Sequence, residues 1–332
     1  MKIQFQKQTI MRHVVLALLP AGIGSVYFFG WVTAAMVLLS MSTCIVVEWL
    51  FVRRTTGKVS EAVLVTGMLL GLILPPTLPL WMVVAGAAFA ITFGKMAFGG
   101  FGANIFNPAM VGRAFLYITF PVYMTNRWIP AADFSQFPGG FIAWRFMPAG
   151  DLAAITAATA SHAGMAAMSS APGLLKLFLG NINGQYEALG EMIRIGGGSA
   201  GETSALLLIL GGVYLLIKRI ANWRLVTGFF VMYVSFQAIL FLVAPESVLP
   251  PLYAFLSRGA VLGGFFMVTD PVSAPKTKTA QFLYAMLIAV FTVLIRSFSL
   301  FAGGLMFSIL LGNMFASILD VAVRGRQKGT AK

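Results

Sequence analysis

The chain has one cysteine, two histidines and ten acidic residues in 332. Cys44 stands alone in an apolar segment, so this chain by itself builds no disulfide framework, cysteine-ligated zinc site or iron–sulfur cluster. His13 opens the first apolar run and His162 lies in a long segment outside the apolar runs; neither has a second histidine at i+3 or i+4. That argues against haem ligation within the membrane and leaves His162 as a surface residue. A redox group on this chain must therefore be held by backbone, hydroxyls, amides and carboxylates. Charge of either sign is scarce at 10%, while 59% of residues are hydrophobic and the mean hydropathy is +0.88. That balance is the signature of an integral membrane protein.

A bilayer-spanning helix needs about 20 apolar residues, and ten segments qualify or come close: 13–30, 32–52, 60–75, 80–98, 107–123, 203–218, 226–243, 253–269, 281–296 and 299–320. The expected fold is an all-α polytopic membrane protein of about ten transmembrane helices. The third segment is short and ends in Leu74-Pro75-Pro76-Thr77-Leu78-Pro79, so it should enter as a broken helix. The first run is long, lacks a small-residue cleavage pattern and leads straight into the next, so no cleavable signal peptide is expected.

The net charge of +13 follows topology rather than nucleic acid. Lys2, Lys7, Arg12, Arg53, Arg54, Lys58, Lys95, Lys218, Arg219, Arg224, Lys276, Lys278, Arg324, Arg326, Lys328 and Lys332 fall on one side under the ten-helix arrangement. The long segment on the other side, 124–202, sets Arg127, Arg145, Lys176 and Arg194 against Asp133, Asp151, Glu187, Glu191 and Glu202. The positive-inside rule then places both termini in the cytoplasm, with anionic lipid as the partner of the basic face. The chain divides into a first transmembrane half (1–123), an extracytoplasmic segment (124–202), a second half (203–322) and a cytoplasmic tail (323–332). Within 124–202, residues 172–193 suit a short amphipathic element on the membrane surface.

Each half carries a break on the inferred cytoplasmic side. The first runs from Gly99 to Pro108 and contains Gly100, Gly102, Asn104 and Asn107; the second is Thr269-Asp270-Pro271-Val272-Ser273-Ala274-Pro275. Irregular backbone at membrane depth survives only where protein or a polar cavity satisfies it. Paired breaks in corresponding positions of two five-helix halves suggest an inverted repeat with binding sites at its interface. The amides of Asn104 and Asn107 would suit a flat polar heterocycle or an ion. The competing reading is that the glycines serve helix packing and Asn107 caps the helix that Pro108 begins.

The run Phe98-Gly-Gly-Phe-Gly-Ala-Asn-Ile-Phe-Asn-Pro-Ala-Met110 resembles the signature of a family. That family contains the D-type subunit of the Rnf ion-translocating electron-transport complex and the B-type subunit of the sodium-translocating NADH:quinone reductase. Further matches are Ile73–Pro79, Phe120–Thr125, Gly201–Ser204, Gly263–Ala274, Ile295–Phe298 and Gly312–Asp320, in family order over about residues 8–325. The short N-terminus, the length and the Met124-Thr125 pair place the resemblance nearer the Rnf branch. It implies an electron-carrying subunit of a translocase in the bacterial cytoplasmic (inner) membrane. Such a subunit is not active alone, and takes part in electron transport from ferredoxin or NADH coupled to Na⁺ or H⁺ movement. Its partners would be cluster- and NADH-binding subunits, a second flavin-bearing subunit and a flavin transferase.

The resemblance also implies two flavins. In that family an FMN phosphate is esterified to a threonine of the outer segment, within a motif of roughly Asp-x-x-Ser/Thr-x-Ala-Thr. Ile155-Thr156-Ala157-Ala158-Thr159 fits its latter part and nominates Thr159, although composition alone does not separate Thr159 from Thr156 or Ser161. Here Ala153 occupies the usual acidic position and Ala157 the commoner glycine. A non-covalent riboflavin is implied near the cytoplasmic break, which carries over to Asn104, Asn107, Gly99, Gly100 and Gly102, with Asp270 nearby.

Acids near the membrane default to functional hypotheses. Asp320 aligns with a family position associated with cation uptake; its alternative is a juxtamembrane acid paired with Arg324 at i+4. Asp270 is either a buried functional acid or a helix cap, and Glu202 is expected to cap the sixth helix. Arg113 and Arg296 need anionic partners that sequence does not identify. The alternative function is a non-redox channel or secondary transporter built on paired broken helices.

Overall fold

The computed structural model describes residues 4–55, 57–125, 141, 173–180, 185–188, 191–194, 199–245, 248–257, 259–299 and 303–330. The first half runs β1 (Gln4–Gln6), α1 (Thr9–Phe29), α2 (Trp31–Val52), β2 (Lys58–Ser60), α3 (Ala62–Ile73), α4 (Leu80–Gly94), α5 (Pro108–Thr119) and the short α6 (Pro121–Thr125). Next come α7 (Leu174–Leu179) and an antiparallel hairpin of β3 (Gln185–Ala188) and β4 (Glu191–Arg194). This is the form taken by the stretch expected to be one amphipathic element. The second half is α8 (Ala205–Ile217), α9 (Trp223–Val243), α10 (Pro251–Leu256), α11 (Ala260–Leu262, continuing as a π-turn over Gly263–Met267), α12 (Lys278–Phe298) and α13 (Gly304–Thr330).

The chain is an all-α polytopic membrane protein. Among the described residues six helices are long and apolar enough to cross a bilayer, fewer than the ten segments read from sequence. The others are real helices but short. The 12 residues of α3 rise about 18 Å against a hydrocarbon core of ~30 Å; α5 and α8 are similarly short, and the eighth segment is split into α10 and α11.

Both halves share one internal arrangement. In the first, α2 and α3 are antiparallel, with the backbone of Met41 against Gly67 and that of Val37 against Gly71; a β-carbon at Gly67 would lie 2.5 Å from Met41 Cα. Small residues admit this close approach where no hydrophobic effect drives helices together. Helices α2 and α4 run parallel (Cys44 on Ala87, Glu48 on Lys95), while α4 and α5 are antiparallel (Gly86 on Leu116, Gly94 on Pro108). The second half repeats this: α9 and α10 antiparallel (Tyr233 on Ala254), α9 and α12 parallel (Asn222 on Gln281, Gly228 on Ala285), α12 and α13 antiparallel (Ile288 on Gly312, Arg296 on Gly304).

Across the halves, equivalent helices meet head to tail. The His13 imidazole of α1 lies 2.7 Å from the Tyr214 hydroxyl of α8, while Gly24 faces Leu207. In the same sense Asn107 at the start of α5 meets Asn313 of α13, while Tyr117 meets Phe307. One half is therefore inverted relative to the other.

Element order corrects one expectation. The 269–275 break follows the third helix of its half, so its counterpart is Leu74–Pro79, not 99–108. The freed carbonyls at that first break are satisfied by the chain leading into the second half: Gly201 donates to the Leu72 carbonyl at 2.7 Å and Ala200 to that of Leu74 at 3.2 Å.

Candidate functional site

The two stretches at 99–108 and 269–275 are not repeat-equivalents, yet the fold brings them to one end of the molecule. They form a cleft there with the ends of α1, α3 and α8. Its walls include Thr66, Lys95, Phe101, Asn104, Asn107, Phe266, Thr269 and Asp270, completed by apolar side chains such as Met11, Leu69 and Leu215. This is the basic end: Arg12, Lys58, Arg219, Lys276 and Arg324 lie on the segments around it.

Asn107 does two jobs. Its Oδ1 accepts from the N–H groups of Ala109 (3.1 Å) and Met110 (3.4 Å), capping α5 as the Asn-Pro pair predicts. Its own N–H donates to Asn313 Oδ1 at 3.0 Å, and Asn313 Nδ2 donates to the Tyr284 hydroxyl at 2.7 Å. The cap leaves the Asn107 amide NH₂ for a ligand. Asn104 is buried and spends Nδ2 on the Phe106 carbonyl (3.1 Å), which leaves its Oδ1 as an acceptor.

Gly99, Gly100 and Gly102 have φ of 107°, 97° and 91°, a region closed to most side chains, and this backbone folds the loop that presents Phe101 and Asn104 to the cleft.

Asp270 lines the cleft but caps no helix. Its Oδ1 accepts from Val272 N–H and its Oδ2 from the Ser273 hydroxyl, both at 3.0 Å, closing the turn after α11. Burial pushes this carboxyl above the ordinary carboxylate range, against the pull of those two bonds. Thr269 donates to the Phe265 carbonyl at 2.6 Å and can still accept.

Lys95 lies at the basic end, as the charge distribution predicts, but its environment is not one that sequence reading identified. It is not a solvated loop cation but is 2% exposed, with Nζ 2.5 Å from Glu48 Oε2 and 2.5 Å from Ser60 Oγ. Glu48 Oε1 in turn accepts from Ser60 N–H at 2.9 Å. The ammonium also lies 5.8 Å from the Phe101 ring centroid, within cation–π reach. Glu48, a lone acid in a 22-residue apolar helix, was the signal that could have found this pair.

A second ion pair closes the same end. Arg12 donates to both Glu61 oxygens, with Gln8 N–H on the same carboxylate. Together with the parallel β1–β2 pairing they fasten the N-terminal segment over the start of α3.

Glu202 does not cap the sixth helix: it pairs with Arg113 at 3.3 Å and accepts from Ser199 N–H at 3.2 Å, and neither Glu202 nor Arg113 lines the cleft. Arg296 donates to the Tyr233 hydroxyl at 3.2 Å. Asp320 is not bridged to Arg324; it accepts from Lys276 N–H (2.8 Å), Thr277 N–H (2.9 Å) and the Thr277 hydroxyl (2.8 Å), satisfying the start of α12. Thr159, Thr156 and Ser161 lie outside the described residues.

Comparison with known proteins adds an independent line. Residues 1–329 match the model of the NQR2, RnfD, RnfE family. Among the relatives are D-type subunits of ion-translocating oxidoreductase complexes. The one from Aeromonas hydrophila subsp. hydrophila is 33% identical, with 98% of this chain and 96% of the relative covered. That of Cronobacter sakazakii is 34% identical over 98% and 96%, and that of Stutzerimonas stutzeri 33% identical over 96% and 91%.

Proposed function

Because the chain belongs to the NQR2, RnfD, RnfE family, we propose that it is a membrane subunit of an ion-translocating oxidoreductase complex. In this reading it carries electrons through an FMN esterified to Thr159 and a riboflavin in the basic-end cleft. Electron flow is coupled to Na⁺ or H⁺ movement, in the bacterial inner membrane with the basic end and both termini in the cytoplasm. Cluster- and NADH-binding subunits, a second flavin-bearing subunit and a flavin transferase complete the system.

The observation that carries the reading is the donor set of the cleft. A flavin presents a flat apolar ring, an edge of alternating donors and acceptors, and a hydroxylated side chain. Phe101 and Phe266 offer ring faces; Asn104 Oδ1 and the Asn107 amide offer one acceptor and one donor; Thr66 and Thr269 offer hydroxyls. Flavin would supply exchange between one- and two-electron partners. The chain's own residues bind and orient: Asn313 and the α5 cap fix the Asn107 amide, and the Glu48–Lys95–Ser60 network anchors the loop carrying Phe101 and Asn104. The test is flavin extraction from detergent-purified complex matured with a flavin transferase. Denaturation is expected to release riboflavin while one FMN stays on this polypeptide. Release of no riboflavin would contradict the cleft assignment.

For Asp320 the geometry supports a fastening role on the 276–277 segment. Asp320→Ala is expected to cost about 0.5–2 kcal/mol, the usual cost of losing a side-chain acceptor at a helix start whose donors water can partly satisfy, read as a lowered Tm in detergent. If Asp320→Asn instead keeps Tm and alters the sodium dependence of turnover, the carboxylate lies on the cation's route.

A further inference from the structure

A second cleft of about 680 Å³ opens beside the first at the basic end. The two share Ile220, Ala221, Thr269 and Pro271 but differ in chemistry. The charged side chains of the second are Arg219, Arg224 and Lys276, with no acidic residue in its lining. None of the three has a carboxylate within ion-pair distance among the described residues. The nearest acids, Asp270 and Asp320, are turned into the backbone and hydroxyl bonds described above. Lys276 Nζ donates to the Pro271 carbonyl at 2.5 Å, and the Arg224 guanidinium lies 5.0 Å from the Trp223 ring centroid; neither contact neutralises charge.

Two further features add positive potential to the same space. The cleft wall includes the first turn of α9, a 21-residue helix with no acidic residue in that turn. Helix N-termini favour anions and disfavour cations, yet Arg224 occupies this one. Arg219 has φ 56°, the one non-glycine residue at positive φ among those described. It ends α8 through its own N–H to Leu216 and that of Ile220 to Leu215, a position where glycine is relaxed and arginine is strained. Asp270 lies within electrostatic range of Lys276 and offsets part of its charge, but Arg219, Arg224 and the positive helix end still leave the cleft with a surplus of positive potential that favours an anion. The rim indicates which anion. Trp223 is 54% exposed at the start of α9, as residues at the headgroup level are, and Ile217 on the adjoining helix is 74% exposed, an apolar face for acyl chains.

We propose that this cleft binds the phosphate of an anionic phospholipid headgroup, seated between Arg219, Arg224 and Lys276 at the membrane surface. The proposal rests on the membrane fold and is independent of the flavin assignment. The test uses the delipidated, detergent-purified complex titrated with phosphatidylglycerol, phosphatidylcholine or inorganic phosphate, with retained lipid measured by mass spectrometry and Tm by thermal unfolding. The wild type is expected to retain phosphatidylglycerol and to rise in Tm with it, and not with phosphatidylcholine. The triple variant Arg219→Gln, Arg224→Gln, Lys276→Gln is expected to need at least tenfold more phosphatidylglycerol for the same effect. Because that variant removes several contacts, Arg219→Gly is the second arm: it relieves the positive φ, so its lipid-free Tm should hold or rise while its gain from phosphatidylglycerol shrinks. Equal response to the two lipids in the wild type, or an undiminished gain in Arg219→Gly, would overturn the proposal. Full stabilisation by inorganic phosphate alone would overturn the lipid as its source.

Discussion

Lys95→Met is expected to destabilise the subunit by about 3–5 kcal/mol, the cost of leaving one partner of a buried ion pair charged and alone. Glu48 and Lys95 are almost fully buried, and Ser60 closes the triangle. The lost methylene packing is small because Met fills a similar volume. The informative comparison is the double variant Glu48→Gln with Lys95→Met, in which no charge remains and Gln can still accept from Ser60 N–H. It should recover most of the loss, since neutralised or apolar replacements of buried pairs are often tolerated. Thermal unfolding in detergent reads both. A single variant no less stable than the double one would mean that the pair is hydrated or not formed. Because Lys95 also sits in the cleft wall beside Phe101, the single variant should lose non-covalent flavin as well, and the double variant should regain part of it.

Thr159→Val is expected to abolish covalent flavin altogether, because a phosphoester needs the hydroxyl and valine keeps its shape without it. With the flavin transferase co-expressed, the wild-type subunit should fluoresce under ultraviolet light on a denaturing gel, and the variant should not. Thr156→Val and Ser161→Ala serve as controls, for composition alone does not distinguish these hydroxyls, and both should keep the band. Loss of fluorescence only in Thr156→Val would move the tether. Absence of any band in the transferase-matured wild type would contradict a covalent flavin here and point to Ala153 and Ala157, where the motif implied by the resemblance has an acid and a glycine, as the departures responsible.

Much of the fold was legible because lipid imposes one rule on every segment: apolar length and internal backbone satisfaction. The Pro75-Pro76 and Asp270-Pro271 breaks announced themselves, and the Asn107-Pro108 cap appears where the dipeptide predicts it. The early stop of α3 was legible from Pro75-Pro76, but the lengths of α5 and α8 were not, since they are as apolar as full spans and still stop early. The meeting of two non-equivalent breaks in one cleft was hidden too, since it depends on how the two halves dock. Charge partners were the least legible. Glu48 and Lys95 are 47 residues apart, and Arg113 and Glu202 are 89 apart, so their pairing depends on tertiary contacts that no local pattern encodes. Basic residues near helix ends read alike as topology signals whether they stay on the surface, as Arg219 does, or turn inward, as Lys95 does.

The central claim is that Asn104 and Asn107 hold a flavin at the basic end. Its most direct test is the riboflavin content of purified complex carrying Asn104→Leu and Asn107→Ser. Serine keeps an oxygen to cap α5 and the backbone N–H that meets Asn313, while both cleft-facing amides are lost. Riboflavin per complex should fall by one equivalent with covalent FMN and Tm nearly unchanged; riboflavin at the wild-type level in a folded double variant would contradict the assignment.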